Sequence, residues 1–256
     1  MKMHRWMSRA TMLATFGGVA WLPGAAFAIN DICANAHVRP LGYQFTSMGS
    51  GTPRYYRFRA VIGASYHVNS APVGTNDNAL EACALNIFRD STCTSSAGGF
   101  GDEDTEDLRG DGDGFVATAT QDHTARVFQG AQANAYSCAT IIQETTLFSP
   151  WFFRDPTNGY DGFVEIRNNH GGAVDGIVVT AFNSNGTVAG STGVAMPGNG
   201  TALVQVSTLG AATGFGSVRI ATPHRPGTII ANLTTLSGVT GLSFDAPFTR
   251  RVSPYQ

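Results

Sequence analysis

Residues 54–62 of this chain read RYYRFRAVI, and this stretch decides the fold class. Apolar side chains occupy every second position, while tyrosine and arginine fill the positions between them. One face carries Tyr56, Phe58, Ala60 and Ile62, and the other carries Tyr55, Arg57 and Arg59. Because successive side chains of a strand point to opposite faces of its sheet, this alternation predicts a β-strand with one buried and one wetted face.

Short strand candidates of this kind recur along the rest of the chain, separated by clusters of Gly, Asn, Asp and Ser. Residues 183–186 read NSNG, which is typical of a tight hairpin because Asn-Gly tolerates positive φ at both turn positions. No stretch sustains the 3.6-residue period of a helix. We therefore predict an all-β chain built from two consecutive antiparallel β-sandwiches, immunoglobulin-like or jelly-roll-like.

The first 28 residues have the pattern of a secretory signal peptide. Lys2, Arg5 and Arg9 provide a positive start, residues 12–22 are mostly apolar, and residues 26–28 read AFA, a small-x-small cleavage pattern. The apolar run is shorter than the roughly 18 residues that a membrane span requires. We expect residues 1–28 to be cleaved, the mature chain to begin at Ile29 without a transmembrane segment, and the protein to be exported to the periplasm or beyond.

Every cysteine precedes residue 139, whereas the remainder of the chain has none. This asymmetry predicts a disulfide-containing sandwich over residues 29–147 and a cysteine-free sandwich over residues 148–256, joined near the FSP sequence at 148–150. Four cysteines in an exported chain predict two disulfides, with three connectivities open. We favour Cys83–Cys93 as a clamp across one loop and Cys33–Cys138 as a tie between the ends of the module; a zinc site, unsupported by any C-x-x-C pair, is the alternative.

The charge of the predicted mature chain excludes several functions. It keeps 13 of the 16 basic residues and all 18 acidic ones, a net charge of −5. A broad cationic face for nucleic acid is therefore not expected. Lys2 is the only lysine in the sequence, so the mature chain has no lysine to form a Schiff base or act as a general base.

Seven carboxylates crowd residues 102–113, with Arg109 as the only base among them. Alternating acids and glycines, as in DGDG at 111–114, allow several oxygens to face one hard cation. The candidate calcium ligands are Asp102, Asp104, Asp107, Asp111 and Asp113. A solvated loop without a bound ion is the alternative, because blocks of like charge usually repel one another.

The aromatic run Trp151, Phe152 and Phe153 follows Pro150 at the predicted joint between the modules. Large aromatic side chains are rarely left in water, so the run is expected to wedge between the two sandwiches. The alternative is an exposed aromatic surface that binds a partner.

No catalytic arrangement emerges from the sequence. Apart from His4 in the signal peptide, the histidines are His37, His67, His123, His170 and His224. They form no metal-binding pair and are expected at the surface or the edge of a core. Residues 169–172 read NHGG, but the G-x-S-x-G nucleophile that would complete an esterase site is absent. We therefore expect a chain without enzymatic activity.

The first module resembles a known family. Residues 55–60 (YYRFRA) and 63–68 (GASYHV), with the later segments 115–119 (FVATA) and 134–138 (NAYSC), resemble bacterial pre-peptidase C-terminal domains over residues 50–146. The resemblance implies a non-catalytic β-sandwich of the kind attached to secreted hydrolases or found in cell-surface proteins. Residues 149–250 are similar to C-terminal domains of uncharacterised secreted bacterial proteins, which implies an architecture alone.

Together these patterns predict a binding or structural protein of the bacterial surface or extracellular matrix. The expected partners are a surface glycan, a matrix component or further copies of the chain. A secreted hydrolase with an unrecognised site, or an accessory subunit of an exported complex, remains the alternative.

Overall fold

The structure is a computed structural model, and it describes residues 32–47, 53–73, 83–96, 100–101, 111–128 and 137–251. The predicted signal peptide, residues 1–28, lies outside these residues. Within them the chain is built almost entirely of β-strands, and the helices are three short 3-10 turns. This confirms the predicted all-β sandwich fold. No helix in the described ranges has the length and apolar character that a bilayer crossing requires.

The first half of the described chain forms two facing sheets, with strand orders β1-β3-β8-β5 and β2-β9-β4-β7-β6. Apart from the parallel pair β1 and β3, the pairings are antiparallel. The elements are η1 (Cys33–Asn35), β1 (His37–Val38), β2 (Gln44–Ser47), β3 (Arg54–Ala60), β4 (Ser65–Val73), β5 (Ala84–Phe88), β6 (Phe100–Gly101), β7 (Asp111–Val116), β8 (Gln121–Phe128) and β9 (Ser137–Glu144).

The second half forms two further antiparallel sheets, with strand orders β13-β12-β15-β10-β18 and β14-β11-β16-β17. The elements are β10 (Leu147–Arg154), η2 (Pro156–Asn158), β11 (Tyr160–Asn168), β12 (Val174–Asn183), β13 (Val188–Met196), β14 (Thr201–Gln205), η3 (Val206–Leu209), β15 (Gly214–Ala221), β16 (Ile229–Ser237), β17 (Ser243–Pro247) and β18 (Thr249–Arg250).

Each pair of sheets encloses its own cluster of buried side chains. In the first, Tyr56, Phe58 and Ala60 of β3 point inward as their alternation predicts. Ile62, however, is 57% exposed, because the strand ends at Ala60 and the chain turns through Gly63 at a φ of 73°. The alternation therefore identified the buried face correctly and placed the end of the strand two residues too late.

The two predicted disulfides are present, but the favoured pairing is wrong. Cys33 bonds to Cys93 and Cys83 bonds to Cys138. A Cys83–Cys93 bond is excluded because Cys93 lies in the turn at the far end of β5, where Phe88 bridges Ser96. The five residues from Cys83 to Phe88 span about 17 Å of extended strand, whereas a disulfide joins Cα atoms within about 7 Å.

The observed pairing follows from the sandwich. Buried Cys83 precedes β5 of one sheet and buried Cys138 lies in β9 of the facing sheet, so this disulfide crosses between the layers. Cys33 in η1 is fastened to the turn after β5.

Mass spectrometry of a digest made without reduction tests this pairing. We expect two linked peptides, one joining Cys33 to Cys93 and one joining Cys83 to Cys138. Because its cysteines are 55 positions apart, the second disulfide is expected to contribute about 4 kcal/mol by restricting the unfolded chain. A linked peptide joining Cys83 to Cys93 would contradict the structure.

Candidate functional site

The aromatic run at 151–153 lies in β10, and its side chains alternate between the two faces of the strand. Phe152 is fully buried in the second sandwich, whereas Trp151 is 37% exposed and Phe153 is half-buried on the outside. The prediction that Phe152 contacts a partner is therefore wrong, because the strand alternation turns it inward. The ring contacts of Trp151 and Phe153 are made within the second sandwich, so the run does not wedge between the modules.

Five rings form a continuous band on this sandwich, here named the aromatic strip. In spatial order they are Tyr160, Phe153, Phe215, Trp151 and Phe244. Successive ring centroids lie 5.6, 5.0, 6.4 and 6.4 Å apart. Phe215 is 63% exposed and Phe244 is 49% exposed. Three of the five rings are therefore exposed to solvent, and Phe153 and Tyr160 are half-buried between them and the groove.

Strands from both sheets build the strip. Trp151 and Phe153 come from β10 and Phe215 from β15, while Tyr160 comes from β11 and Phe244 from β17. Phe153 lies directly opposite Phe215 across the strand pair, and the register shifts between Ser149 and Phe152, beside Trp151. The rings are inclined to their neighbours by 41–67°. The surface is consequently corrugated, not flat.

A groove begins where the strip ends at Tyr160, and a few polar side chains interrupt its mostly apolar lining. This cavity of about 300 Å³ is lined by Arg154, Asp161, Gln205, Leu236 and other residues. Asp161 accepts hydrogen bonds from the Gln205 side chain at 2.7 Å and from the Ser207 amide at 3.2 Å. Because these bonds hold Asp161 in place, the groove presents fixed polar groups beside an aromatic ring.

The contact between the two sandwiches lies elsewhere and is largely polar. The Ser65 hydroxyl accepts a hydrogen bond from the Thr222 amide at 2.9 Å, and the Thr145 hydroxyl donates to the Thr222 carbonyl. Gly114 packs so closely that a Cβ built on it would lie 1.6 Å from the Pro223 carbonyl oxygen. Such contacts allow little freedom between the modules at this point.

A partly buried ion pair joins the same two modules. Arg251 bonds to Glu144 at 3.1 Å, and the Glu144 side chain is only 3% exposed. Burial raises the pKa of Glu144, and the Arg251 charge opposes this effect. The pair ties the end of β9 to the residue that follows β18.

His67 in β4 is also buried at this contact, with 1% of its surface exposed. Neither ring nitrogen has a hydrogen-bond partner among the described residues. Burial lowers the pKa of His67 to about 4, and the nearby charges of Arg225 and His224 act in the same direction. His67 is therefore neutral in the folded protein at ordinary pH.

We expect His67 to make folding sensitive to acid. As the pH falls from about 6.5 to about 4, the unfolded chain takes up a proton that folded His67 does not, and stability decreases by about 3 kcal/mol. Below pH 4 this contribution is constant. The measurement is the free energy of unfolding against pH for the wild type and for His67→Phe. Glu144 titrates in both proteins, so its contribution cancels when the two free energies of unfolding are subtracted. If the two curves of free energy against pH run parallel, the expectation is contradicted.

His123 is likewise buried rather than at a core edge, with 2% of its surface exposed and its ring 4.7 Å from that of Phe115. Both histidines lie in strands whose inward face is covered by the opposite sheet or module. The residues beside His67 and His123 in the sequence give no sign of this covering.

The predicted calcium loop falls mostly outside the described residues. Asp102, Asp104 and Asp107 are not among them, and Asp111 is described only in its backbone. Asp113 is half-buried in β7, opposite Val68. Within the described ranges no group of three acidic, histidine or cysteine side chains is arranged to hold a metal. Calcium binding by this loop stays a prediction.

Three members of the aromatic strip were not predicted from the sequence. Phe215 and Phe244 lie far from Trp151 along the chain, and strand pairing brings them close. Tyr160 is only nine residues from Trp151 and reaches Phe153 across the turn that the Asp155–Tyr160 bridge closes. The sequence around Phe215 reads GFG at 214–216, and this isolated ring between glycines is the one local signal of an exposed aromatic.

Comparison with known proteins adds little to this description. No family model matches the chain, so the resemblance of residues 50–146 to pre-peptidase C-terminal domains stays a prediction. No curated protein matches either. Among solved structures, the chain is similar to a β-glucuronidase from glycoside hydrolase family 2, with 11% identity and a TM-score of 0.18 over 87% of this chain. The match spans 26% of the β-glucuronidase, and a likeness this weak carries no argument about function.

Proposed function

We propose that this chain is an exported, non-catalytic binding protein whose second sandwich contacts a glycan through the aromatic strip. The observation that carries the proposal is the row of five contacting rings, three of them substantially exposed. Exposed apolar patches on soluble proteins usually mark interaction sites. Two disulfides fit the oxidising compartments to which exported proteins are delivered.

Carbohydrate suits this surface better than a purely apolar partner. Aromatic faces pack against the C–H faces of sugar rings, and spacings of 5.0–6.4 Å between rings are on the scale of single sugar units. The adjoining groove supplies Arg154, Asp161 and Gln205, whose donors and acceptors match hydroxyl groups. Because the rings are tilted, the strip favours a soluble, twisted chain over a flat crystalline polysaccharide.

The distribution of titratable groups supports binding without catalysis. Burial shifts the pKa values of His67, His123 and Glu144, and these groups lie in the first sandwich or between the modules. Asp161 in the groove is engaged by the Gln205 side chain and a backbone amide. Catalytic acids and bases are characteristically groups whose pKa is perturbed by burial inside a cleft. Beside this groove the pKa of Asp155 is lowered by hydrogen bonds from Asn158 and Thr157, which belong to the cap of η2 and not to a buried acid or base.

An array of soluble oligosaccharides, followed by calorimetry with the ligand that binds best, tests the proposal. We expect Trp151→Ala and Phe215→Ala each to weaken binding about tenfold or more, because each removes an aromatic face that packs against the sugar; tenfold corresponds to about 1.4 kcal/mol. Tyr43→Ala is the matched control, since Tyr43 is an aromatic residue 57% exposed on the other sandwich. Turnover of any array sugar, or equal loss in all three variants, would overturn the proposal.

A further inference from the structure

The side of the second sandwich opposite β18 has two open strand edges. β13 ends the five-stranded sheet and β14 ends the four-stranded sheet, and each pairs with one neighbour only. A groove of about 560 Å³ lies between them, lined by Thr192 and Val194 of β13 and by Ala202 and Val204 of β14. The backbone groups along the outer edge of β13 are therefore placed to pair with another strand.

This side of the molecule has few of the devices that normally prevent such pairing, and the register shift at Ala189 lies near one end of β13. Residues 176–218 contain no Asp, Glu, Lys, Arg or His, and residues 188–196 contain no proline. Val188 at the start of β13 is 60% exposed, and Leu203 in β14 is 66% exposed. Soluble proteins usually protect long edge strands with charges, proline or bulges directed at the open side.

The sequence of β13 is suited to pairing with itself. It reads VAGSTGVAM, and an antiparallel two-fold register centred on Thr192 matches all nine positions, with the regular ladder of the strand at 190–194 around the centre. In this register apolar residues oppose apolar or small residues throughout. The pairs are Val188 with Met196, Ala189 with Ala195, Gly190 with Val194, Ser191 with Gly193, and Thr192 with Thr192. No bulky or charged pair opposes close approach, and Thr–Thr pairs are favourable across strands.

We propose that two copies of this chain associate through β13, edge to edge and antiparallel, about a two-fold axis at Thr192. The two five-stranded sheets then form one continuous sheet, and the contact is isologous, as closed dimers require. β10, which carries Trp151 and Phe153, lies toward the opposite edge of the sheet. The dimer therefore leaves both aromatic strips open, and this inference does not depend on what the strips bind.

Gly193 offers a direct test by sedimentation velocity. It is exposed, and a Cβ built on it meets nothing within 4 Å, so Gly193→Lys fits the single chain. In the dimer the two lysines would lie diagonally on one face and repel each other. We expect the dimer mass for the wild type and the monomer mass for Gly193→Lys. The matched control is Gly238→Lys, which also has open space at Cβ and is expected to remain dimeric.

A disulfide trap tests the register separately. The four natural cysteines are paired, so Thr192→Cys adds the one free thiol at the proposed axis. Mild oxidation is expected to cross-link Thr192→Cys into a covalent dimer and to leave Ser184→Cys, in an exposed turn, as a monomer. A wild type that is monomeric across the micromolar range, dimers that persist in Gly193→Lys, or no cross-link at position 192 would each overturn the proposal.

Discussion

Replacing Phe152 by alanine is expected to lower the free energy of unfolding of the second sandwich by about 4 kcal/mol. The ring is fully buried and lies against Gly216, where a Cβ would approach it to 2.3 Å. Gly216 has no side chain that could move into the space that the ring leaves. For a module of this size such a loss lowers the melting temperature by about 15 °C.

Phe215→Ala provides the matched control in the same sheet. Phe215 lies one position from Gly216 but points outward and is 63% exposed, so its removal should change stability by less than about 1 kcal/mol. Calorimetric unfolding of the two variants therefore separates the core face of the β10–β15 pair from the strip on its outer face. Equal destabilisation of both variants would contradict the assignment of these faces.

Gly114→Ala is expected to disrupt the contact between the modules. The added Cβ would overlap the Pro223 carbonyl oxygen, and backbone on both sides must move to relieve the overlap. Overpacking of this kind costs about 3 kcal/mol, and we expect the two sandwiches to unfold as separate transitions. Differential scanning calorimetry measures this directly.

Gly238→Ala serves as the control for that experiment, since its Cβ would meet nothing within 4 Å. Its calorimetric trace should match that of the wild type. An unchanged trace for Gly114→Ala would contradict the close contact between the modules, because the overlap with Pro223 would then not exist in solution.

Local patterns in the sequence predicted the elements of this fold better than their assembly. The alternation at 54–62 identified the buried side chains Tyr56 and Phe58 because strand periodicity is a property of adjacent residues. The disulfide pairing failed because it depends on which sheets face each other. Cys83 and Cys138 come together only when β5 and β9 are in opposite layers.

At the candidate site, residues with a signal in the neighbouring sequence were predicted, whereas residues brought in by the assembly of strands were not. Trp151 was identified because three aromatic residues adjoin a proline, a signal contained in a few consecutive residues. Phe215 and Phe244 reach Trp151 through strand pairing and the approach of two sheets, and neither is encoded near Trp151 in the chain. His67 was misplaced for a similar reason, since the surface that covers it includes residues more than 150 positions away.

Tryptophan fluorescence gives the most direct test of glycan binding by the strip. The sequence has three tryptophans, and removal of residues 1–28 leaves Trp151 as the only one. Titration of that mature protein with the best oligosaccharide from the array should change the Trp151 emission along a saturable curve. The Kd should match the calorimetric value and rise about tenfold in Phe215→Ala. Calorimetric binding that leaves Trp151 emission unchanged would contradict the account, because the glycan would then occupy another part of the molecule.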